Sequence, residues 1–185
     1  MKVVADQQAP HSAIETWHAD HRNFSRVLDV VERQVDAFRA DGHPDFELLR
    51  SIVSYLRHFP DRFHHPREDI AFARLVERDP QLQLEIARRL QEHVVIAAAG
   101  EQLLGCLDRI IAGAMLERAE LERAAATYLV YYRYHLYMEE RQVLPRAAEL
   151  LTATDWAAVA AIPTEPDPLF GPNSDPRYSE LRREI

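Results

Sequence analysis

The chain has 185 residues, a formal net charge of −8 and only five glycines. A chain of this length can bury an apolar core of its own, so no disulfide or structural metal is needed merely for folding. Acidic and basic residues are interspersed and no basic block is present, which argues against nucleic acid as a partner.

The composition favours helix along the whole chain. Ala, Leu, Glu and Arg are abundant, and these side chains lose little rotamer freedom in a helix. The N-terminal segment carries one lysine and a short apolar run, too short for a signal peptide or a membrane span. Cys106 is the single cysteine and is expected in the core. We expect an all-α protein in the cytoplasm, without membrane contact.

The first of four long predicted helices, helix A, opens at a capping box formed by Ser12 and Glu15. In this motif each side chain satisfies an unpaired backbone N–H of the first helical turn. Helix A should end near Ala40, because Gly42 favours a helix end and Pro44 cannot continue the hydrogen bonding.

Helix B is predicted from about Asp45 to Arg78 and contains two prolines. Pro60 and Pro66 cannot donate to the carbonyls of Leu56 and Arg62, so a kink is expected in this helix.

The remaining long helices follow after short connections. Asp79 and Pro80 are typical of an N-cap followed by the first residue of a helix, and helix C should continue to about Ala112. The segment 113–117 forms the next turn, and helix D should reach about Leu151. Four helices of matched length joined by short turns predict an up-down-up-down four-helix bundle.

The C-terminal part predicts a short fifth helix and a strap. Thr152 or Thr154 caps the helix that contains Trp156. We assign residues 1–162 to the bundle and residues 163–185 to a Pro-rich tail, which packs on the bundle or on a second subunit of a homodimer. The tail is too apolar to be a solvated linker because it carries Leu169, Phe170, Tyr178, Leu181 and Ile185.

Two pairs of residues suggest a metal site. His64 with Glu68, and His135 with Glu139, are four residues apart and therefore stand on one face of their helices. Antiparallel helices bring residues level when they lie equally far from a shared turn, and one layer across the bundle then holds a larger set. This layer contains His21, His64, Glu68, His93, His135 and Glu139. His58 lies about 9 Å off this level and serves as a control position.

Three further residues lie close to the layer. His65 is turned about 100° from its neighbour His64, so it can be a ligand only if the kinked helix presents that edge as well. His18 is one turn before the histidine of helix A and can be a ligand or can orient one. Tyr131, one turn before His135, can donate a proton or an electron near the metal, although core packing is the commoner role.

Burying several imidazoles and two carboxylates together is costly unless a cation compensates. Imidazole and carboxylate without thiolate suit iron, manganese or zinc, and the set exceeds one tetrahedral zinc site. We therefore predict two metal ions bridged by Glu68 and Glu139.

The motifs DHRNF, FHHPREDIAF, EH at 92–93 and YHLYMEERQVLP resemble the HHE, or hemerythrin-like, cation-binding domain over about residues 11–150. The segments LTATDW and DPLFG resemble the tail of a bacterial subgroup of these proteins. The resemblance implies a non-haem diiron centre in a four-helix bundle. The implied ligands are His21 on helix A, His64 and Glu68 on helix B, His93 on helix C, and His135 and Glu139 on helix D.

The chain departs from the oxygen-carrying hemerythrins in three places. The carriers have a second histidine four residues from the first on helix C, where this chain has Arg89 and Ala97. The acid of helix D, Glu139, follows His135 by four residues instead of five. His65 supplies the missing nitrogen in this interpretation, as an adjacent ligand on helix B does in some relatives. These departures weigh against reversible oxygen carriage but not against a diiron site.

The sequence leaves three functions open. The first is a protein with two iron ions, replaceable by zinc or manganese, that binds or senses oxygen or a related small molecule, or handles iron. The second is a diiron oxidase or ferroxidase that consumes oxygen or peroxide. The third is a metal-free helical interaction module.

Overall fold

A computed structural model of the protein describes residues 8–40, 42–173 and 175–185, with side chains from residue 13 onward within these ranges. The described residues are helical with irregular connections, and they contain no β-strand. The helices are α1 (Gln8–Arg39), α2 (Phe46–Phe59), α3 (His65–Arg78), α4 (Gln83–Ile111), α5 (Arg118–Met138), α6 (Leu144–Leu150), α7 (Ala153–Ala160) and α8 (Ser179–Glu184).

Two π-helical turns join these helices into longer ones. Pro60–His64 connects α2 to α3, so that together they form the predicted helix B. Glu139–Val143 connects α5 to α6, and together they form helix D. Short 3₁₀ turns at Pro80–Leu82 and Pro176–Tyr178 lead into α4 and α8. The long helices contact one another side by side, α1 with α2 and α5, and α4 with α2 and α5, which is consistent with a bundle.

The helix ends follow the predictions with one exception. The first helix begins at Gln8, so residue 12 lies inside it and does not start it as predicted; the side chain of Ser12 is outside the described residues. At its other end, Gly42 donates its N–H to the carbonyl of Ala37 at 2.9 Å. Asp79 accepts from the N–H of Gln81, which confirms the predicted cap.

Prolines explain both π-helical turns. Pro66 has no N–H for the carbonyl of Arg62, and His65, directly before it, donates instead to the carbonyl of Pro60. Leu144, directly before Pro145, donates in the same way to the carbonyl of Glu139. The irregularity in helix B was expected. The one in helix D was not, although Pro145 follows its turn just as Pro66 follows the first.

Two apolar clusters occupy the interior. The larger one joins side chains from α1, α2, α4 and α5, among them Phe24 and Leu136. The smaller one joins α1, α3, α6 and α7, among them Trp17, Phe72 and Trp156. On each long helix the predicted metal ligands lie between members of the two clusters, so a polar layer separates them.

The C-terminal tail of the chain packs on the helices. Leu169, Tyr178 and Leu181 are buried in the larger cluster. The hydroxyl of Tyr55 donates to Asp167 at 2.9 Å, so the start of the tail is fixed to α2. Whether residues 163–185 form a separate unit or also serve a second subunit stays a prediction. None of the described helices combines the length and the apolar character that a membrane crossing requires.

Asp155 links α7 to the end of α3. It is 3% exposed and completes a capping box with Thr152, the threonine that begins α7. Both of its carboxylate oxygens accept from Arg78 at 3.0 Å. The hydrogen bonds from Arg78 lower the pKa of Asp155 to about 2, below its ordinary value of 3.8.

We predict that Asp155→Ala lowers the free energy of unfolding by about 1–2 kcal/mol at pH 7, because it removes a cap and a bidentate partner. The stabilisation is fully present above pH 3.8 and is lost as the pH falls through about 2. The difference between the wild type and the variant, measured by urea unfolding, should therefore shrink at the lowest pH. Asp175→Ala, which removes a cap at the exposed end of the chain, is the control and should cost much less. Equal losses in the two variants would contradict this assignment.

Candidate metal centre

The structure brings all seven predicted ligands together in one buried layer. Each is at most 8% exposed, and the two glutamates are fully buried. Every long helix contributes: the layer contains His21 from α1, His64, His65 and Glu68 from helix B, His93 from α4, and His135 and Glu139 from helix D.

The ligand atoms form two groups that share Glu68. Atoms of the first group lie within 4.8 Å of one another and belong to His65, Glu68, His93 and His135. Atoms of the second group meet the same limit and belong to His21, His64 and Glu68. We call these the three-imidazole group and the two-imidazole group.

Glu139 lies beside both groups. One of its oxygens is 3.2 Å from Nε2 of His135 and 3.6 Å from Nε2 of His21. The other is 3.6 Å from Nε2 of His93. Its two oxygens therefore lie near ligand atoms of both groups, and the bridging role stays a prediction.

The π-helical turn explains why His64 and His65 both face the interior. His64 ends the turn and His65 begins α3, and they are 2% and 4% exposed. The ring of His65 stacks on that of His93, with centroids 4.2 Å apart and planes 15° apart. The wider turn therefore lets helix B direct two consecutive side chains, His64 and His65, toward the interior.

A ring of four carboxylates holds the histidines from outside. Each carboxylate stands next to a ligand of its own helix but contacts the Nδ1 atom of a histidine on the next helix. The contacts are Asp20 to His64 at 3.0 Å, Asp69 to His93 at 2.8 Å, Glu92 to His135 at 3.2 Å and Glu140 to His21 at 2.8 Å. We call this set the carboxylate ring.

The carboxylate ring determines which nitrogen of each histidine is free. A carboxylate at Nδ1 keeps a proton on that nitrogen, which leaves the lone pair on Nε2. The Nε2 atoms point to the interior, where a metal would bind. His65 has its own partner, Asp61, with an oxygen 3.2 Å from its Nδ1 atom. None of these five carboxylates was singled out from the sequence.

The structure places the other candidates outside the two groups. His18 is about one-third exposed, and its Nδ1 atom lies 2.6 Å from Glu140, the carboxylate that also holds His21. It therefore contacts the partner of a predicted ligand. Tyr131 is 42% exposed and is not brought to the layer. The control, His58, packs against Phe63 and not in the layer.

Tyr132 packs against the layer from the interior. It is fully buried, its ring centroid is 6.3 Å from that of His65, and its hydroxyl has no hydrogen-bond partner. Tyr128, one turn earlier, is equally buried and also lacks a partner. The spacing alone could not distinguish the inward tyrosines from Tyr131.

Charges are unevenly distributed in the layer. Burial lowers the pKa of His21, but the hydrogen bond with Glu140 and the charges of the inner glutamates outweigh it and raise the pKa to about 10. Burial also lowers the pKa of His93, but Asp69 and both inner glutamates outweigh it and raise the pKa to about 12. At His135 burial dominates and lowers the pKa to about 4. Burial also lowers the pKa of His65.

The unpaired atoms of the layer test whether a metal fits. Both oxygens of Glu68 and of Glu139 are buried without a hydrogen-bond partner, as are the Nε2 atoms of His65, His93 and His135. Unpaired buried polar atoms are costly and uncommon in native proteins. These oxygen and imidazole donors converge on one place and suit iron, manganese or zinc.

Comparison with known families identifies the fold around this layer. The model of the Hemerythrin HHE cation binding domain matches residues 12–147. The chain belongs to this family. The match covers every residue of the two groups, and the cation-binding character of the hemerythrin HHE family agrees with the donors found here. No curated protein matched the chain significantly.

We predict that this hemerythrin HHE domain releases protons when a metal binds. With pKa values raised to about 10 and about 12, His21 and His93 carry an extra proton in the metal-free protein at pH 8. A metal ion binds neutral imidazole, so the affinity of the layer for metal should rise as the pH rises toward these pKa values. An indicator dye in weakly buffered solution measures the release on adding Zn²⁺.

The control for proton release is Glu140→Gln, which removes the negative charge of the carboxylate that raises the pKa of His21. This variant should release fewer protons than the wild type. Metal binding without proton release in the wild type would show that the imidazoles are already neutral.

Proposed function

We propose that the chain is a non-haem diiron protein that binds or senses oxygen or a related small molecule, or handles iron. The observation that carries the proposal is the convergence of five imidazoles and two unpaired carboxylates in one layer, where Glu68 is common to the two groups and Glu139 lies beside both. One metal ion cannot use so many donors, whereas two bridged ions can.

The grouping suggests how the residues divide between two ions. The three-imidazole group would hold one ion, and His21 with His64 would hold the other. Glu68 and Glu139 would contact both, and their negative charge would offset part of the charge of the two cations. When bound, a pair of iron ions supplies one-electron redox chemistry and coordination positions for a small ligand.

The side chains around the layer prepare it for this role. The apolar clusters on both sides keep water out, and the carboxylate ring keeps the Nε2 lone pairs directed inward. The two-imidazole group has fewer donors, so we propose that a small ligand binds on its side. A groove of about 700 Å³ between α1 and helix D is lined by His21, Leu136 and Glu140 and opens on this side of the layer.

Other parts of the proposal rest on the sequence. An up-down-up-down order of the four long helices follows from their lengths and short turns. Cytoplasmic location, a small ligand such as oxygen without nucleic acid or membrane as a partner, and a homodimer with a second subunit at the C-terminal tail also stay predictions.

We predict about two iron ions per chain after anaerobic reconstitution with ferrous iron, measured by elemental analysis. A reversible charge-transfer band on adding oxygen would support binding or sensing. Oxidation of many equivalents of ferrous iron would instead favour the oxidase or ferroxidase alternative. One zinc and no iron, or no stoichiometric metal, would overturn the proposal.

We predict that Glu68→Ala and Glu139→Ala each abolish the two-metal site, because a neutral neighbour cannot replace a carboxylate that contacts both groups. His58→Ala is the matched control, since it removes a histidine of helix B that lies outside the layer. Metal content after gel filtration is the measurement. Similar metal loss in all three variants would show that the layer does not define the site.

A further inference from the structure

Arg89 is a buried arginine with no role in the proposed site. It is 1% exposed and lies one turn before His93 on α4. Its guanidinium forms ion pairs with Glu92 at 2.9 Å and with Glu85 at 3.3 Å. A guanidinium is costly to bury, so its place beside a predicted ligand needs a reason.

Glu92 connects Arg89 to the metal layer. The same oxygen of Glu92 lies 2.9 Å from Arg89 and 3.2 Å from Nδ1 of His135. The other members of the carboxylate ring form their ion pairs with histidines: Asp20 with His64, Asp69 with His93, and Glu140 with His18 and His21. The ring is therefore asymmetric, with one guanidinium at His135.

The same arrangement recurs at His65. Its partner Asp61 forms an ion pair with Arg57, which lies one turn earlier in helix B. Gly100 makes room for this arginine, because a Cβ atom there would lie 2.5 Å from Cδ of Arg57. Both arginines are thus linked through a carboxylate to a histidine of the three-imidazole group. Their ion pairs do not link them to the two-imidazole group.

In an arginine–carboxylate–histidine series, the carboxylate and the arginine have opposite effects on the Nε2 atom of the histidine. A carboxylate at Nδ1 draws on the ring proton and makes Nε2 a stronger electron donor. A guanidinium that shares the carboxylate takes up part of its negative charge, which weakens this effect. Weaker donors and a nearby positive charge both favour the lower oxidation state of a metal.

We propose that Arg57 and Arg89 are positioning residues that make the two metal positions unequal, so that the ion in the three-imidazole group is the one that stays ferrous when the centre is half oxidised. The proposal rests on the proposed diiron function. The step is a one-electron couple between ferric and ferrous iron, with the electron supplied by the titrant. Neither arginine would hold an ion itself, because each is linked to a predicted ligand histidine through a carboxylate.

A purely structural role for Arg89 is the competing explanation, since it also pairs with two partly buried glutamates, Glu85 and Glu92. Opposite substitutions separate the two explanations. Arg89→Gln frees the charge of Glu92 for His135 and should lower the reduction potential of the centre. Glu92→Gln removes that charge while leaving the arginine and should raise it. Loosened packing would shift both potentials in the same direction.

The experiment is a potentiometric titration of iron-loaded protein with dithionite, followed by the electron paramagnetic resonance signal of the half-oxidised state. Arg133→Gln is the control, because Arg133 contacts two carboxylates, Asp29 and Glu32, that hold no histidine. Its potentials should equal those of the wild type. Circular dichroism checks that each variant is folded.

A second variant covers the case in which Arg89→Gln does not fold. Arg57→Gln should lower the same potential through Asp61 and His65, and Arg57→Lys, which keeps the charge, should restore it. Unchanged potentials, or shifts of one sign in Arg89→Gln and Glu92→Gln, would overturn the inference. Failure of the wild type to bind two iron ions would instead count against the proposed function.

Discussion

The arrangement of this protein depends on burying several ionisable groups in the middle of a helical bundle. The carboxylate ring makes this possible, because one carboxylate of each long helix contacts a histidine of the next helix. The carboxylate of the fourth helix contacts the histidine of the first. Four such contacts fix the depth and the rotation of every helix relative to its neighbours. They also direct all the remaining polar atoms inward, so the interior is polar in one layer and apolar on both sides.

Much of the layer could be predicted from sequence, because the level of a residue in the bundle follows from its distance along the chain from the nearest turn. Distances from the turns placed His21, His64, His93 and His135 at one level, and the structure brings them together. The caps at Asp79 and Thr152 were also readable, since their signals lie within a few residues.

The carboxylate ring could not be predicted in this way. Asp20, Asp69, Glu92 and Glu140 each adjoin a ligand in the sequence, where a helix turns the side chain about 100° away from its neighbour. Such acids resemble ordinary surface residues until the adjacent helix is known. Each of the four helices has an acid next to a predicted ligand, but the histidine that this acid contacts lies on another helix and is known only from the tertiary structure. The inward tyrosines were missed for the same reason.

The departures from the oxygen carriers acquire a physical interpretation. Arg89 is one of the two positions of helix C, four residues from His93, where the resemblance implies a second histidine in the carriers, and it forms an ion pair with Glu92. His65 lies in the same group as His93 and His135, which supports the view that helix B supplies the nitrogen that helix C lacks. The number of imidazoles is thereby kept, while the charge around them changes.

The π-helical turns make the metal layer sensitive to chain length. A turn closed by a hydrogen bond over five residues holds one residue more than an ordinary turn, and this chain has one such turn beside each predicted pair of His and Glu. Deleting a single residue from either turn would rotate everything after it by about 100° about the helix axis. Glu68 or the helix beyond Glu139 would then face another neighbour, although every donor would still be present in the chain. In this chain, the loss of one residue from either turn would therefore change the layer without the replacement of a single predicted ligand.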